Sequence, residues 1–295
     1  MQPSRLGFPS LYLAIFLLSL TGLFAKLIPL DATSIIQLRS VVAAAGLALF
    51  IGLQKRSFRL CGIKTYVGVY ALGLLLGLHW VTFFHAMQVS TVAVGMLAMF
   101  TFPVVTILLE PLFTKKMIKL GDICAGITVL VGLAIMVGSG PNDLQKPVTM
   151  GVISGTVSAV LFALRNLFQK YYFADETSDS LMFHQVVAVA FMLALFVDYP
   201  RVEVLQAVAF FKIFLLGILS TATAHTLLVY SLKLLPAKTV ALIQCLQPPI
   251  AAVLAWLVVG ETPGLSILIG GSVILSVAAY ESTQKARTAQ ETKEV

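Results

Sequence analysis

Residues 79–103 read HWVTFFHAMQVSTVAVGMLAMFTFP and residues 225–249 read HTLLVYSLKLLPAKTVALIQCLQPP, a separation of 146 positions. Each stretch opens with a histidine, carries an aromatic residue five positions later and ends with a proline. With a gap of one residue the match continues to a glycine and a leucine, at positions 126 and 130 in the first copy and 271 and 275 in the second. A repeat of this length predicts a fold made of two related halves.

The composition predicts an all-α membrane protein. Apolar residues make up 59% of the 295 residues and charged residues 11%, and the mean hydropathy is +0.96. A helix needs about 20 apolar residues to cross a bilayer, so the chain has room for about ten spans and none for a soluble catalytic domain. Residues 11–25 follow Arg5 as in a signal peptide, but no small-residue cleavage site precedes Lys26, so we expect a retained first helix.

Charged residues, prolines and glycines divide the chain into ten predicted spans. They lie at residues 10–28, 33–53, 65–85, 90–113, 119–138, 149–171, 181–197, 208–234, 238–259 and 264–281. The first repeat is then residues 1–148 and the second residues 149–281, each with five spans. The polar residues 282–295 form a tail that we expect to be disordered.

The distribution of lysine and arginine predicts the orientation. With both termini in the cytoplasm, fourteen of these residues fall in cytoplasmic segments and four on the opposite side, as the positive-inside rule requires. This accounts for the net charge of +7 without a nucleic-acid partner. Five spans per half is an odd number, so the second half is expected to insert upside down relative to the first. We expect a bacterial inner membrane protein.

Several features together resemble one family. They are Arg39 early in the second span, the prolines of the fourth and ninth spans, and LVVGETP at residues 257–263. Over roughly residues 8–281 the chain resembles the EamA family, the ten-helix branch of the drug/metabolite transporter superfamily. The resemblance implies two inverted five-helix repeats around a central cavity, lined by the first, third, fourth, sixth, eighth and ninth spans. Thr114 and Lys115 stand where members often carry Gly-Glu.

Polar groups within a bilayer are costly, so each is a candidate for function. His79 and His225 occupy equivalent positions of the two repeats and can face each other across the cavity. There they would bind protons or substrate, or each would bond a neighbouring helix. Arg165 with Asn166 would hold a carboxylate or phosphate, or else snorkel or pair structurally. Arg39 is expected to tie helices together or to cap a neighbouring helix.

The remaining candidates lie near the duplicated prolines. The prolines remove backbone donors and predict hinges, and the glutamines just before the second hinge predict hydrogen bonds to substrate or across helices. Aromatic residues predict an apolar wall or ordinary packing. The predicted cavity residues are His79, Trp80, Phe83, Phe100, Thr101, Arg165, Asn166, His225, Tyr230, Gln244 and Gln247, and the predicted hinges are Pro103, Pro248 and Pro249. Glu110 is expected to pair with a basic group, to accept a proton, or to snorkel at the cytoplasmic end of its span.

Three kinds of function remain open. The resemblance implies a secondary active transporter that exports or exchanges a small amphipathic metabolite, such as an amino acid, by alternating access, driven by protons or by the solute gradient. A larger anionic, nucleotide-linked or sulfonium cargo is the alternative if Arg165 faces the cavity. An intramembrane enzyme is disfavoured, because the sequence has no HExxH, GxSxG or paired intramembrane aspartates. A scaffold would have a solid interior.

The expected partners are a small-molecule substrate and the lipid bilayer. Cys61, Cys124 and Cys245 have no CxxC spacing. We therefore expect no metal and no cofactor. The substrate, the coupling ion and the oligomeric state are not determined by the sequence.

Overall fold

The structure is a computed structural model that describes residues 3–21, 24, 27–90, 92–115, 117–137, 146–259 and 265–291. These residues form helices and short connections, with no strand among them. The helices are α1 Pro3–Ser19, α2 Ala32–Leu53, α3 Ile63–Val89, α4 Val92–Met99, α5 Phe102–Thr114, α6 Leu120–Val137, α7 Lys146–Tyr172, α8 Ser178–Leu193, α9 Tyr199–Glu203, α10 Ala207–Leu215, α11 Ala224–Leu234, α12 Ala237–Gln244, α13 Gln247–Val259 and α14 Leu265–Glu291. A 3-10 turn, Ala194–Phe196, extends α8, and a π-helix, Leu216–Thr223, joins α10 to α11.

Six helical segments are long and apolar enough to cross a membrane. They are Ala32–Leu53, Ile63–Val89, Thr149–Tyr172, Ser178–Phe196, Ala207–Leu234 and Ala237–Val258. Shorter apolar helices lie at Leu6–Ser19, Phe102–Thr114, Leu120–Ile135 and Leu268–Tyr280. The prediction of an all-α membrane protein is confirmed, and the count of ten spans stays a prediction.

The predicted boundary between the two repeats falls at the start of a helix. The boundary between residues 148 and 149 lies in the first turn of α7, which begins at Lys146, and it stays a prediction. Within the motif at residues 257–263, positions 260–263 lie outside the described residues.

The expectation of a disordered tail over residues 282–295 stays a prediction. In the structure α14 continues as a helix to Glu291. The segment STQKARTAQE, residues 282–291, contains no proline or glycine and is rich in alanine, glutamine and other residues that favour helix.

The fourth and ninth predicted spans are each broken into two helices. α4 ends and α5 begins around residues 100–101, and α12 gives way to α13 around residues 245–246. The two breaks agree with the 146-residue repeat to within one position. In both, proline occupies the first turn of the second helix, where its missing N–H costs least. The breaks therefore follow from the duplicated prolines.

Helices of opposite halves pack against each other in matching pairs. α1 packs on α11 and α3 packs on α7, while α2 packs on α8 and α6 packs on α14. In terms of the predicted spans, the first meets the eighth and the third meets the sixth. A twofold relation between two five-helix repeats would produce this pattern.

Close contact between α3 and α8 depends on a glycine. A Cβ atom at Gly73 would lie 2.6 Å from the Cβ of Ala188 and 2.8 Å from the carbonyl oxygen of Gln185. Small residues let membrane helices approach in this way. The contact holds α3, which carries His79, close to the second half.

The core consists of two main apolar clusters. The larger is built on α1, α5, α7, α11 and α12, and the second on α2, α3 and α8. The side chain of Phe83 packs against both. The candidate site lies where these clusters meet.

Candidate functional site

A small central cavity lies between the two apolar clusters and takes its lining from both halves of the chain. Its volume is about 40 Å³, room for about one water molecule, whose share of liquid volume is roughly 30 Å³. Pockets for small ligands commonly measure about 300–1,000 Å³. The cavity is therefore far smaller than a typical ligand pocket.

Seven of the eleven predicted cavity residues line it. They are His79, Trp80, Phe83, Phe100, His225, Gln244 and Gln247. They come from α3, from the two broken spans and from α11, which are distant in sequence. The lining thus combines residues from both halves of the chain.

The other four predicted residues do not line the cavity. The hydroxyl of Thr101 donates to the carbonyl oxygen of Ala98 at 2.7 Å, within its own helical turn. Tyr230 lies five residues beyond His225 on α11, which turns it about 140° around the helix. Arg165 and Asn166 bond to each other instead.

Arg165 forms a fully buried hydrogen-bonded tie between α7 and α8. Its Nε and Nη2 atoms donate to Oε1 of Gln185 at 2.9 and 2.6 Å, and Nη1 donates to Oδ1 of Asn166 at 2.9 Å. The side chain is 0% exposed. The structure therefore places Arg165 in structural pairing, neither in the cavity nor snorkelling to a surface.

His79 joins the cavity to α7. Its Nδ1 lies 2.7 Å from Oγ of Ser158 and 3.1 Å from the carbonyl oxygen of the same residue. Because a carbonyl only accepts hydrogen bonds, we assign the proton to Nδ1, which leaves Nε2 as an acceptor. The ring stacks on Phe162 with a centroid distance of 4.5 Å.

His225 lines the same cavity from α11. Its ring stands edge-on to Trp80, with 5.1 Å between centroids. Its Nδ1 is buried and has no hydrogen-bond partner within the described residues. The two duplicated histidines therefore share one cavity, and one of them has an unsatisfied ring nitrogen.

Arg39 is a cavity residue that the sequence analysis assigned to a structural role. It is 2% exposed, and its guanidinium carbon lies 4.2 Å above the Trp80 ring and 5.6 Å from the Phe84 ring. Its Nε has no hydrogen-bond partner among the described residues. An arginine within an apolar span was the signal that could have identified it.

Gln244 and Gln247 flank the break between α12 and α13. Oε1 of Gln244 is buried and has no partner within the described part of the chain. Nε2 of Gln247 donates to the carbonyl oxygen of Leu18 at 3.3 Å. Gln244 thus offers an acceptor to the cavity, while Gln247 holds α13 against α1.

A second cluster of polar side chains lies at one end of the helix bundle, where α11 meets α12. Oε1 of Glu110 accepts hydrogen bonds from the hydroxyl of Tyr171 at 2.6 Å and from the N–H of Ala237 at 3.0 Å, and Oε2 accepts from the N–H of Lys238 at 3.1 Å. The carboxylate thereby caps the N-terminus of α12, where free N–H groups favour a negative charge. Glu110 pairs across the halves and does not snorkel.

Lysines reinforce this end. Nζ of Lys170 donates to the carbonyl oxygens of Leu232 and Leu235, each at 2.6 Å, at the end of α11. Lys238 forms an ion pair with Asp122 at 2.5 Å. A pocket of about 520 Å³ adjoins these groups. Most of its charged side chains already have partners within the protein.

Within the described residues no group of three or more His, Cys, Asp or Glu side chains is placed to hold a metal ion. The polar atoms of the central cavity are spread over different helices and mixed with aromatic rings. Such a lining suits an organic molecule with one polar end.

The model of the EamA-like transporter family matches residues 5–138 and 149–280. An uncharacterized transporter of Bacillus subtilis (strain 168) is 23% identical over 225 residues, which cover 76% of this chain and 72% of the relative. An uncharacterized transporter of Archaeoglobus fulgidus is 26% identical over 193 residues, covering 65% and 67%. A solved crystal structure of a protein superposes on this chain with a TM-score of 0.79 and is 16% identical in sequence. The match covers 97% of this chain and 98% of that chain, and it shows that the folds are alike.

Proposed function

Because the chain belongs to the EamA-like transporter family of the drug/metabolite transporter superfamily, we propose that it is a secondary active transporter of a small amphipathic metabolite that works by alternating access. The multi-pass membrane architecture and the transporter relatives are the premise. The proposal adds the class of cargo, the route and the mechanism.

The central cavity is the observation that carries the proposal. It joins a buried guanidinium, unsatisfied polar atoms and a wall of aromatic rings. Buried polar atoms are normally hydrogen-bonded, so a ligand that supplies the missing partners would be bound with orientation. The aromatic wall would accept its apolar part. A small molecule with one polar and one apolar end fits both requirements.

The volume of the cavity supports a mechanism with moving halves. At about 40 Å³ it is too small for an amino acid, so binding requires the halves to separate. We propose ten spans, with residues 1–148 and 149–281 as halves of opposite orientation and both termini on the cytoplasmic side of a bacterial inner membrane. In such repeats, exchanging the conformations of the halves turns an inward opening into an outward one.

Protons are the coupling ion that we propose. His79 and His225 line the cavity, and imidazole changes its charge between about pH 5 and 8. In the closed structure a charged ring beside Arg39 would be costly. Protonation would therefore accompany opening of the cavity to water. The placement of Arg165 outside the cavity removes the observation that would have favoured a larger anionic cargo.

Counterflow in proteoliposomes tests the function. Purified protein is reconstituted into vesicles loaded with an excess of unlabelled amino acids, and entry of labelled phenylalanine, leucine or methionine is followed. The proposal predicts saturable uptake that depends on the internal solute. Uptake equal to that of protein-free vesicles for the whole panel, with no ligand raising the melting temperature, would contradict it.

A further inference from the structure

Among the described residues no acidic side chain pairs with the charge of Arg39. The guanidinium can donate five hydrogen bonds, yet its buried Nε has no partner within the described residues, and its recorded contacts are with the rings of Trp80 and Phe84. Burying a charge without a partner is unfavourable. Ring contacts replace part of the lost hydration, but they do not accept a hydrogen bond from Nε.

Arg165 shows what a structural arginine looks like in the same protein. It is equally buried, and three of its nitrogen atoms donate to oxygens of Gln185 and Asn166. Arg39 lies in the cavity wall, and although the amide of Gln244 lines the same cavity, no hydrogen bond joins Nε of Arg39 to an oxygen of the described residues. The difference indicates that the oxygens for Arg39 come from outside the chain.

No acidic residue is among the described residues that line the cavity, and the carboxylates at the start of α2 and on α5 make other contacts. Asp31 caps the start of α2 by accepting from the N–H of Ser34 at 3.0 Å. It lies eight residues from Arg39, about 12 Å along the helix. Glu110 is bound to Tyr171 and to the start of α12. Neither carboxylate is placed to neutralise the cavity.

From these observations we propose that Arg39 binds the carboxylate of the transported molecule, with Gln244 accepting a hydrogen bond from a neighbouring donor on it. This inference rests on the proposed function and specifies its substrate class. Guanidinium and carboxylate match as a planar, two-bonded pair. Arg39 is the one cation among the described residues of the lining, and a single positive charge matches a carboxylate better than a doubly charged phosphate.

The other side chains that line the cavity indicate the chemistry of the rest of the substrate. Oε1 of Gln244 is an unpartnered acceptor and suits an ammonium or amide N–H. Phe83, Phe100 and Phe162 supply an apolar surface. Together these groups select a carboxylate that carries a hydrogen-bond donor and an apolar or aromatic side chain.

The experiment compares acids with their amides. Binding to purified protein in nanodiscs is measured for phenylalanine, leucine, methionine and tryptophan, and for the four corresponding amides, which keep the side chain and the amine. Each compound is then tested in the counterflow assay. The variants are Arg39→Gln and Arg39→Lys, with Arg56→Gln as control. Arg56 is 53% exposed and pairs with Asp179 at the edge of the bundle.

The native protein is expected to bind at least one acid about tenfold or more tightly than its amide, since a bond between charged groups contributes more than a neutral one. Arg39→Gln should bring that ratio close to one, Arg39→Lys should keep part of it, and Arg56→Gln should keep all of it. Because the ratio is taken within one sample, partial unfolding of a variant does not mimic the result.

Three outcomes overturn the inference. If acids and amides are bound and transported equally, Arg39 is not a carboxylate site although the transport function stands. The same holds if Arg39→Gln keeps the native ratio. If no acid and no amide is bound or transported, the proposed function fails together with the inference.

Discussion

Glu110 joins the two halves of the molecule through its side chain. It belongs to the first half, and its carboxylate holds the first turn of α12 in the second half together with Tyr171 of α7. Both oxygens accept hydrogen bonds, and all three donors are N–H or O–H groups. Both side-chain oxygens of residue 110 must therefore act as hydrogen-bond acceptors.

Glu110→Gln should reduce stability. The amide nitrogen would face an N–H group, so one bond would be lost and one backbone donor left unpaired. We expect the free energy of unfolding to fall by about 1–2 kcal/mol, seen as a lower melting temperature of the purified protein. Glu203→Gln, at an exposed position of α9, is the matched control. A melting temperature equal to the native one would show that the cap contributes nothing.

The paired histidines give a second prediction at this scale. Replacing His79 and His225 together by glutamine removes both imidazoles from the cavity while keeping hydrogen-bonding groups there. We expect transport by the double variant to become independent of pH between about 5 and 8, with folding retained. Transport rates are compared at several pH values in proteoliposomes. A pH profile of native shape would exclude these histidines as the proton carriers.

Sequence reasoning selected the polar cavity residues but could not separate the two arginines. His79, His225 and Gln244 are recognisable because polar groups are rare in apolar spans. Whether an arginine is satisfied depends on side chains of other helices, such as Gln185 for Arg165. A single sequence does not show which faces of which helices pack together. The roles of Arg39 and Arg165 could therefore not be distinguished from the sequence.

At the scale of helices, the two broken spans are the parts best suited to move. Each break lies beside the cavity, with Phe100 at one and Gln244 at the other. Proline leaves a carbonyl oxygen of the preceding turn without its usual donor, so the helices on either side are less firmly coupled. The prolines are the sequence signal that predicted this.

Replacing Pro248 and Pro249 together by alanine tests the hinge, because either proline left in place would still interrupt the helix. The two alanines restore both N–H groups and favour a continuous helix through the break. We expect the transport rate to fall several-fold while substrate affinity changes little, because the lining side chains remain in place. Pro111→Ala is the control, since Pro111 lies within the continuous helix α5. A native rate in the double variant, with unchanged affinity, would show that the break is not a moving part.

Other features of the helices had no signal in the sequence. The π-helix Leu216–Thr223 directly precedes His225 and sets its rotation around the helix axis. Its residues are ordinary apolar and small polar types that also suit an α-helix. Its geometry depends on packing against α2, where a Cβ at Gly217 would lie 2.6 Å from Cγ1 of Val42.

At the scale of the whole molecule, the two halves meet around a small central cavity. The repeat in the sequence predicted the halves, and their helices pack in matching cross-pairs. The size of the cavity was not predictable, because it depends on how side chains of different helices pack, which the sequence alone does not specify. Alternating access requires the cavity to open toward one side of the membrane at a time.

The measurement that tests this claim most directly is the reactivity of one cavity cysteine from each side of the membrane. Thr21 lines the cavity, and Thr21→Cys is introduced after the three native cysteines have been replaced by serine or alanine. Membrane-impermeant maleimide is added to one side of sealed vesicles of known orientation, with and without substrate. If access alternates, the cysteine is labelled from both sides, and labelling is slower when substrate is bound. Labelling from one side only, whatever the substrate, would contradict alternating access through this cavity.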